Sequence, residues 1–459
     1  MTQILPDPTK RALLFAGGEW SYADLHARVA WASERLRDRG LRPGDRLVIS
    51  LPAGVEAVVW LLAALEARAV VCPVNPKLPH HALGDILKRL RAKHIVQQAD
   101  SAIEGEISGV GVLEFSDEEL ARPTIVVATS GSTAEPKLAV LSLRNFLANA
   151  DASNRNIPIA PGDAWLLSLP LFHISGLGIA FRCTQARATI TVPHPDQSLA
   201  SAITEFGVTH ASLVSTQLYR LLESEEGRAA LSGLNAVLLG GSAIPESLIR
   251  RAVERGVPIH TTYGLTESAG QVTTTPPVSD LETLLSSGRP LAESTIRIAA
   301  SGEIEIAGPT LFLGYLQPNG SITRPATPDG WFPTGDLGRF DDHGLLHVTG
   351  RRDNMFISGG ENIQPEEIER ALAQIDGVAQ AIIVPVPSAE YGHRPAAFVQ
   401  LRDQTALEPE RLRAALRELL PSYKLPDAFF DWPEDLTRDG LKPSRADFAK
   451  RAQMLGGNH

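Results

Sequence analysis

The chain has 459 residues, 43% of them hydrophobic and 21% charged, proportions of a soluble globular protein that exclude disorder as its main state. Forty-three Lys and Arg stand against 53 Asp and Glu, a net charge of −10, which argues against a general nucleic-acid or anionic-membrane binder and leaves room for a local basic pocket. Two isolated cysteines, Cys72 and Cys183, exclude a disulfide framework or a zinc site and read as buried thiols in a reducing compartment.

The first ten residues carry Asp7 and two prolines where a secretory leader needs an unbroken apolar run, so a cytoplasmic location is expected. Ser21, with Asp24 three residues on, reads as the N-cap of a helix over 22–36. From Arg46 onward, short apolar runs alternate with helical periodicity. Strands are expected over 47–51, 70–74, 94–97, 124–129, 165–169, 188–192, 210–214, 236–240 and 259–263. Helices are expected between most of them, among others over 55–66, 143–152, 217–223 and 246–255. The alternation predicts an α/β fold, with parallel-rich sheets, flanking helices, and ligands at the carboxyl ends of the strands. The most apolar stretch, 57–71, is broken by Glu66 and Arg68 and reads as a core helix running into a strand, so no membrane insertion is expected.

From residue 286 the texture changes to short strands punctuated by Gly and Pro, over 295–299, 303–307 and 345–348, as in a small β-rich subdomain ending at 352. Beyond it, residues 353–459 carry a helix from Pro365, strands over 381–386 and 396–401, and a helix near 411–420. The expected division is an N-terminal domain over 1–352 and a small α+β C-terminal domain over 353–459.

The densest cluster of hydrogen-bond donors is the run Thr129, Ser130, Gly131, Ser132, Thr133, Ala134, Glu135, Pro136, Lys137. Backbone N–H groups and hydroxyls in so tight a loop can wrap phosphate oxygens, and the lysine adds a positive charge. It is no Walker A loop, because Pro136 stands where that motif needs glycine and Leu138 where it needs a hydroxyl. Read by itself, the run is equally a polar surface turn. Tyr263-Gly264-Leu265-Thr266-Glu267 follows a strand and is expected to open a helix. Glu267 suits Mg²⁺ and Thr266 a phosphate, although the helix dipole alone also favours an acid there. The run Gly-Trp-Phe-Pro-Thr-Gly-Asp at 330–336 puts Asp336 after a tight turn, suited to a ribose diol or simply solvated. Gly350-Arg351-Arg352-Asp353 falls where the texture changes, and Gly359-Gly360-Glu361-Asn362 leads into an acidic helix.

In this order and spacing, from Tyr22 to about Arg445, these segments resemble the adenylate-forming superfamily of acyl-CoA ligases, peptide-synthetase adenylation domains and luciferases. Ala134 departs from the family's loop, which usually has glycine there; the methyl restricts the backbone without removing a donor. The resemblance implies a large N-terminal domain, a small mobile C-terminal domain and two half-reactions. A carboxylate attacks the α-phosphate of ATP to give acyl-AMP and pyrophosphate, and a thiol then displaces AMP. It further implies that Thr129, Ser130, Gly131, Ser132, Thr133 and Lys137 embrace the phosphates, while Gly240, Gly241 and Ser242, with Tyr263 and Gly264, border the nucleotide. Thr266 would meet the α-phosphate, Glu267 the magnesium, and Asp336 and Arg351 the ribose. Asp353 would be the hinge, Gly359, Gly360 and Glu361 would face coenzyme A, and Lys442 would enter the site during adenylation. By itself, Lys442 is a solvated lysine near a chain end.

Leu169-Pro170-Leu171-Phe172-His173-Ile174-Ser175-Gly176 occupies the family's substrate side. Amino-acid-activating members carry Asp at the position of His173 to grip an α-ammonium, so His173, itself a catalytic candidate, argues against an amino acid. The 17 residues after Lys442 hold no carrier domain, and free coenzyme A is the expected acceptor. The phrases at 73–76, 165–178, 210–222, 236–245, 360–369 and 392–395 are similar to those of family ligases for an aromatic acid bearing a second carboxylate. Holding that leftover carboxylate needs a cation or several donors. Arg182 is the main candidate, followed by Ser215, Thr216 and Ser175, and the competing reading of Arg182 is a partly exposed helical arginine. A ligase for another aryl or medium-chain acid stays open, as does a homo-oligomer. The expected partners are a small carboxylic acid, ATP with Mg²⁺, and coenzyme A, with no nucleic acid.

Overall fold

The computed structural model describes residues 2–3, 9–97, 113–129, 136–388, 390–402, 406–436 and 444–456. Ser130 to Thr133 of the expected phosphate loop, and Lys442, lie outside the described residues.

The chain enters through the expected cap. Ser21 Oγ accepts from the Asp24 N–H at 3.1 Å and the Asp24 carboxylate accepts from the Ser21 N–H at 2.9 Å, a reciprocal box that starts the helix Tyr22–Asp38. Such a cap is worth about 1 kcal/mol. The apolar stretch read as a core helix is the helix Val55–Glu66, buried without interruption from Ala57 to Leu65. A helix that is apolar all round belongs inside a protein or a membrane. Here it lies in one core with Tyr22–Asp38, Leu143–Asn156 and Ile174–Ala186, filled out by strand residues such as Val71, Ile125, Trp165 and Ile190. Among the described residues, no helix is long and apolar enough to cross a membrane.

Those strands belong to two sheets. The nine-stranded sheet runs in the order Arg289–Pro290, Gly270–Thr274, Ile259–Leu265, Ala236–Leu239, His210–Leu213, Ala164–Leu166, Thr189–Val192, Arg11–Phe15, Gly18–Ser21. Its six strands from Ile259–Leu265 to Arg11–Phe15 are all parallel. The outer face of this sheet carries a second core, built from Leu213, Val237, Leu239 and Ile259 against the helices Leu199–Glu205, Ser215–Glu223 and Glu246–Glu254. The seven-stranded sheet sets Arg46–Ser50, Val70–Pro73, His94–Gln97 and Pro123–Thr129 parallel, then continues antiparallel through Lys137–Ser142 and Gly314–Leu316 to Ile322–Thr323. The expected β-rich region is therefore not self-contained: from within 286–352, the strands at 314–323 return to this large sheet. Four strands form its own antiparallel sheet, Thr295–Ile298, Glu303–Ala307, Phe332–Phe340 and Leu346–Arg351.

Beyond the short turn Arg352–Asn354 comes a hairpin, Phe356–Ser358 with Glu361–Ile363, then the helix Pro365–Ala373 and a three-stranded sheet, Val378–Ser388, Gly392–Leu401 and Ala428–Asp431. Alternating residues bury its two faces. Ile383, Ala397 and Val399 pack with Ile368, Leu372 and Leu416, while Val384, Ala396 and Phe398 pack with Trp432 and Phe448. Both cysteines are buried and free, and burial pushes each thiol up to about 12, which keeps them protonated and inert.

Candidate active site

Four neighbouring parallel strands end on the same side of the nine-stranded sheet, and the segments singled out in the sequence begin where they end. Ala164–Leu166 leads to Leu169 through His173, His210–Leu213 to Ser215 and Thr216, Ala236–Leu239 to Gly240 through Ser242, and Ile259–Leu265 to Thr266 and Glu267. Parallel strands expose their unpaired backbone groups and loop openings at this end, where α/β sheets bind ligands. Gln217 ties two of these ends together: its amide donates to Ser168 O at 3.1 Å and accepts from Val214 N–H at 3.0 Å. Gly240 is required by proximity, since a Cβ there would lie 2.5 Å from Thr262 Cγ2.

The helix expected after Glu267 does not form. Thr266–Ser268 is a single 3-10 turn closed by Ala269 at φ 57° and followed by the antiparallel strand Gly270–Thr274. The Ser268 hydroxyl shares its one proton between Leu265 O at 2.9 Å and Gly270 O at 2.8 Å, and the Asn149 amide donates to Ser268 O and Gln271 O, which together fold the chain back on itself. Glu267 therefore owes nothing to a helix N-terminus. It is held instead from a distant segment, by Phe312 N–H on its carbonyl at 2.8 Å and by the Tyr315 hydroxyl on its carboxylate at 2.6 Å. Lys137 reaches the same place, its ammonium 5.2 Å from the centre of the Tyr315 ring. Thr129 and Lys137 are paired opposite each other and bracket the expected phosphate loop. Glu267 offers one hard oxygen donor set, and no group of three or more His, Cys, Asp or Glu able to hold a metal is found among the described residues. One carboxylate beside a phosphate loop fits Mg²⁺, which binds through one or two carboxylates and substrate phosphates.

Asp336 was expected after a turn, yet it sits inside the strand Phe332–Phe340, opposite Arg351 in register. Tyr263 donates to one of its oxygens at 2.7 Å and Arg351 to the other at 3.0 Å. Burial and the neighbouring Asp336 charge push the Tyr263 phenol well above its usual value, so it stays a donor. Gly335, at φ 77°, makes room, because a Cβ there would meet Arg351 Nη2 at 2.9 Å. The ring of Tyr263 and a fixed, nearly buried carboxylate thus lie side by side, the pair of surfaces a nucleoside presents a need for: an aromatic base and a diol.

On the acid side, His173 is the N-cap residue of the helix Ile174–Ala186 and packs its ring 4.6 Å from that of Phe172. Burial pulls its pKa below the usual imidazole value, which leaves it neutral at pH 7. Gly176 lets the preceding loop lie on this helix, since a Cβ would come within 2.1 Å of Pro170 O. Ser175 and Thr216 are exposed, whereas the Ser215 hydroxyl is buried with no hydrogen-bond partner among the described residues. Arg182 is not the partly exposed arginine of the competing reading: it is 4% exposed. Its guanidinium stacks 4.4 Å from the centre of the Trp165 ring, Nε donates to Gly178 O at 3.2 Å, and Nη1 has no hydrogen-bond partner among the described residues. Burial pulls its pKa down to about 10, still charged at pH 7. Gln271, on a strand packed against the same helix, is 5% exposed, and neither end of its amide has a partner among the described residues. Sequence reasoning passed over Gln271 and Tyr315, because neither stands at a fixed spacing from the residues it serves.

The remaining candidates lie just beyond the last strand of the four-stranded antiparallel sheet. Asp353 is exposed in the turn Arg352–Asn354, its carboxylate 3.6 Å from Arg351 Nη2. Gly359 and Gly360, at φ 57° and 88°, make the tight turn of the hairpin that ends in Glu361–Ile363, and all three CoA-side candidates are exposed.

Residues 2–316 match the AMP-binding enzyme family and residues 367–440 the AMP-binding enzyme C-terminal domain. The 2-succinylbenzoate–CoA ligase of Salmonella typhimurium is 37% identical over 435 residues, which cover 93% of this chain and 91% of that protein. A variant of E. coli MenE with bound OSB-AMS superposes with a TM-score of 0.85 at 32% identity, over 98% of this chain and 96% of that one. O-succinylbenzoate coenzyme A synthetase (MenE) from Bacillus subtilis, in complex with ATP and magnesium ion, superposes with a TM-score of 0.80 at 28% identity, over 93% of each chain. With its strand-end loops, its Tyr263–Asp336–Arg351 cluster and these matches over nearly the whole length, the chain belongs to the AMP-binding enzyme family.

Proposed function

We propose that the chain is an ATP- and Mg²⁺-dependent acid–CoA ligase that makes 2-succinylbenzoyl-CoA through an acyl-AMP, in the cytoplasm, as a step of menaquinone biosynthesis. The observation that carries the choice of acid is Arg182, a buried cation with an unpartnered Nη1. A buried, uncompensated charge costs several kcal/mol, so the site is built for an anion. The guanidinium curls back to the level of Gly178, where a Cβ would be 3.6 Å from Nη2. At 1.5 Å rise per residue that level is about 7.5 Å along the helix axis from His173. A succinyl carboxylate at the mouth and an aromatic carboxylate below it are separated by a comparable span. Gln271 and Ser215 add buried polar atoms that a polar ligand would satisfy.

In the first half-reaction the succinyl carboxylate oxygen bonds to the α-phosphorus as the bond from that phosphorus to the β-bridging oxygen breaks, and pyrophosphate leaves. Thr129, Lys137 and the loop between them hold the phosphates, and Thr266 meets the α-phosphate. Tyr263, Asp336 and Arg351 fix the nucleoside, so that the reacting atoms meet already oriented. Glu267 would hold Mg²⁺, which when bound would supply positive charge where phosphate charge is redistributed. Lys442 adds a second positive charge at the reacting carboxylate. His173, being neutral, can border that carboxylate as a single N–H donor without pairing off its charge. In the second half-reaction the CoA thiolate bonds to the acyl carbon and AMP leaves with the electron pair, with the Gly359–Gly360 turn on the thiol's side after rotation about Asp353.

The test is a panel of acids with ATP, Mg²⁺ and CoA, following AMP and thioester together. We expect thioester with 2-succinylbenzoate and little with benzoate or fatty acids, because analogues lacking the second carboxylate leave Arg182 unpaired. Equal turnover of benzoate and 2-succinylbenzoate would sink the assignment.

A further inference from the structure

Tyr315 touches both Lys137 and Glu267, the cation and the carboxylate assigned to the phosphates and their metal. The register explains the contact. Gly314–Leu316 pairs antiparallel with Lys137–Ser142 so that Tyr315 faces Ala139, and Lys137, two residues from Ala139, lies on the same face and diagonally across. The phenol is held in place by the Phe312 ring, edge-on at 4.9 Å, which itself abuts Phe332 at 5.1 Å. The residue that positions this ring also fixes the main chain of Glu267, through Phe312 N–H and Glu267 O. The phenol is the only possible donor in this pair, because the Glu267 carboxylate can only accept.

We propose that Tyr315 is a positioning residue for the magnesium–ATP complex, its hydroxyl fixing one oxygen of Glu267 so that the other faces the metal, and its ring seating the ammonium of Lys137. The proposal rests on reading Glu267 as the metal's carboxylate. A ligating carboxylate is itself oriented by hydrogen bonds, and loss of such a partner typically weakens metal binding about 10–100-fold.

The experiment compares Tyr315→Phe, Tyr315→Leu and Glu267→Gln. Mn²⁺ replaces Mg²⁺, and its affinity for the protein in the presence of ATP is read by electron paramagnetic resonance; the Mg²⁺ dependence of pyrophosphate release is measured alongside. Tyr315→Phe should weaken Mn²⁺ binding about 10–100-fold. Excess Mg²⁺ should restore its rate of pyrophosphate release, and its melting temperature without nucleotide should be unchanged. Tyr315→Leu, which also removes the ring, should raise the KM for ATP beyond that of Tyr315→Phe. The proposal is overturned if Tyr315→Phe binds Mn²⁺ as the parent does while Glu267→Gln does not. If Glu267→Gln also retains full affinity, the reading of Glu267 falls and the proposal falls with it, whatever the acid panel shows.

Discussion

Gln271 is a buried amide that the protein leaves unsatisfied at both ends. A group in that state destabilises the fold it sits in, by about 1–3 kcal/mol. It is retained at little cost only where a ligand completes it, which is the usual trade between stability and a working site. Gln271→Leu should therefore raise the melting temperature and, at the same time, raise the KM for the acid about tenfold, with the KM for ATP nearly unchanged. A thermal melt with steady-state kinetics on both substrates checks this. A variant that is more stable and binds the acid as before would make Gln271 a defect of the core, and no part of the site. Arg182 could be singled out in the sequence because the family resemblance implied a second carboxylate, and this is a cation one or two helical turns beyond Ser175. Gln271 could not, since a glutamine on a strand becomes conspicuous only once the fold shows its side-chain amide buried and unpaired among the described residues.

At the scale of elements, the site depends on one sharp reversal. The strand Ile259–Leu265 leaves the parallel sheet and pairs antiparallel with Gly270–Thr274 across only four intervening residues, putting Glu267 at the tip. The two backbones approach so closely that a Cβ on Gly264 would stand 2.2 Å from Gly270 O. Gly264→Ala should push the strands apart, costing about 1–3 kcal/mol of stability, as overpacking does. It should also abolish most adenylation, since Thr266 and Glu267 move with the turn. Denaturant unfolding and pyrophosphate release measure the two effects; normal adenylation in a destabilised variant would separate the turn from the chemistry. Local periodicity made the parallel strands and their ends readable, and with them the side of the sheet where ligands gather. It could not reveal the reversal, because Thr266, Glu267, Ser268 and Ala269 suit a helix as well as a turn. The outcome hangs on hydrogen bonds from Ser268 and on Gly270 at φ 134°. Asp336 shows the same limit: its partner Arg351 is fixed by strand pairing fifteen residues away, which no spacing rule announces.

Across the whole molecule, the described buried apolar residues beyond 356 form clusters of their own, separate from the N-terminal ones, although the helix Pro365–Ala373 lies against the strand Leu346–Arg351. What joins the two parts is polar and sparse. Gln364 donates to Arg351 O at 3.0 Å, Arg370 to Thr349 O at 2.7 Å, and Arg402 to Ser247 Oγ at 3.4 Å. An interface of this kind permits relative domain motion, the default where no large apolar surface is shared. The chain crosses it at the exposed turn Arg352–Asn354, and few residues absorb the backbone change in a hinge. Residues in a 3-10 turn have φ of about −50° to −70°, and proline fixes φ near −65°. Asp353→Pro should therefore hold the junction near the arrangement seen here and resist any other. The two half-reactions should then come apart. The half-reaction served by the arrangement seen here should remain measurable, whether acyl-AMP formation from acid and ATP or transfer from supplied acyl-AMP to CoA, and the other should fall steeply. Asp353→Ala, which leaves φ free, should keep both. Quench assays of pyrophosphate release and of thioester formation from synthetic acyl-AMP distinguish the cases. If Asp353→Pro depresses both half-reactions equally and Asp353→Ala neither, the junction is needed for folding and rotation is not about this residue.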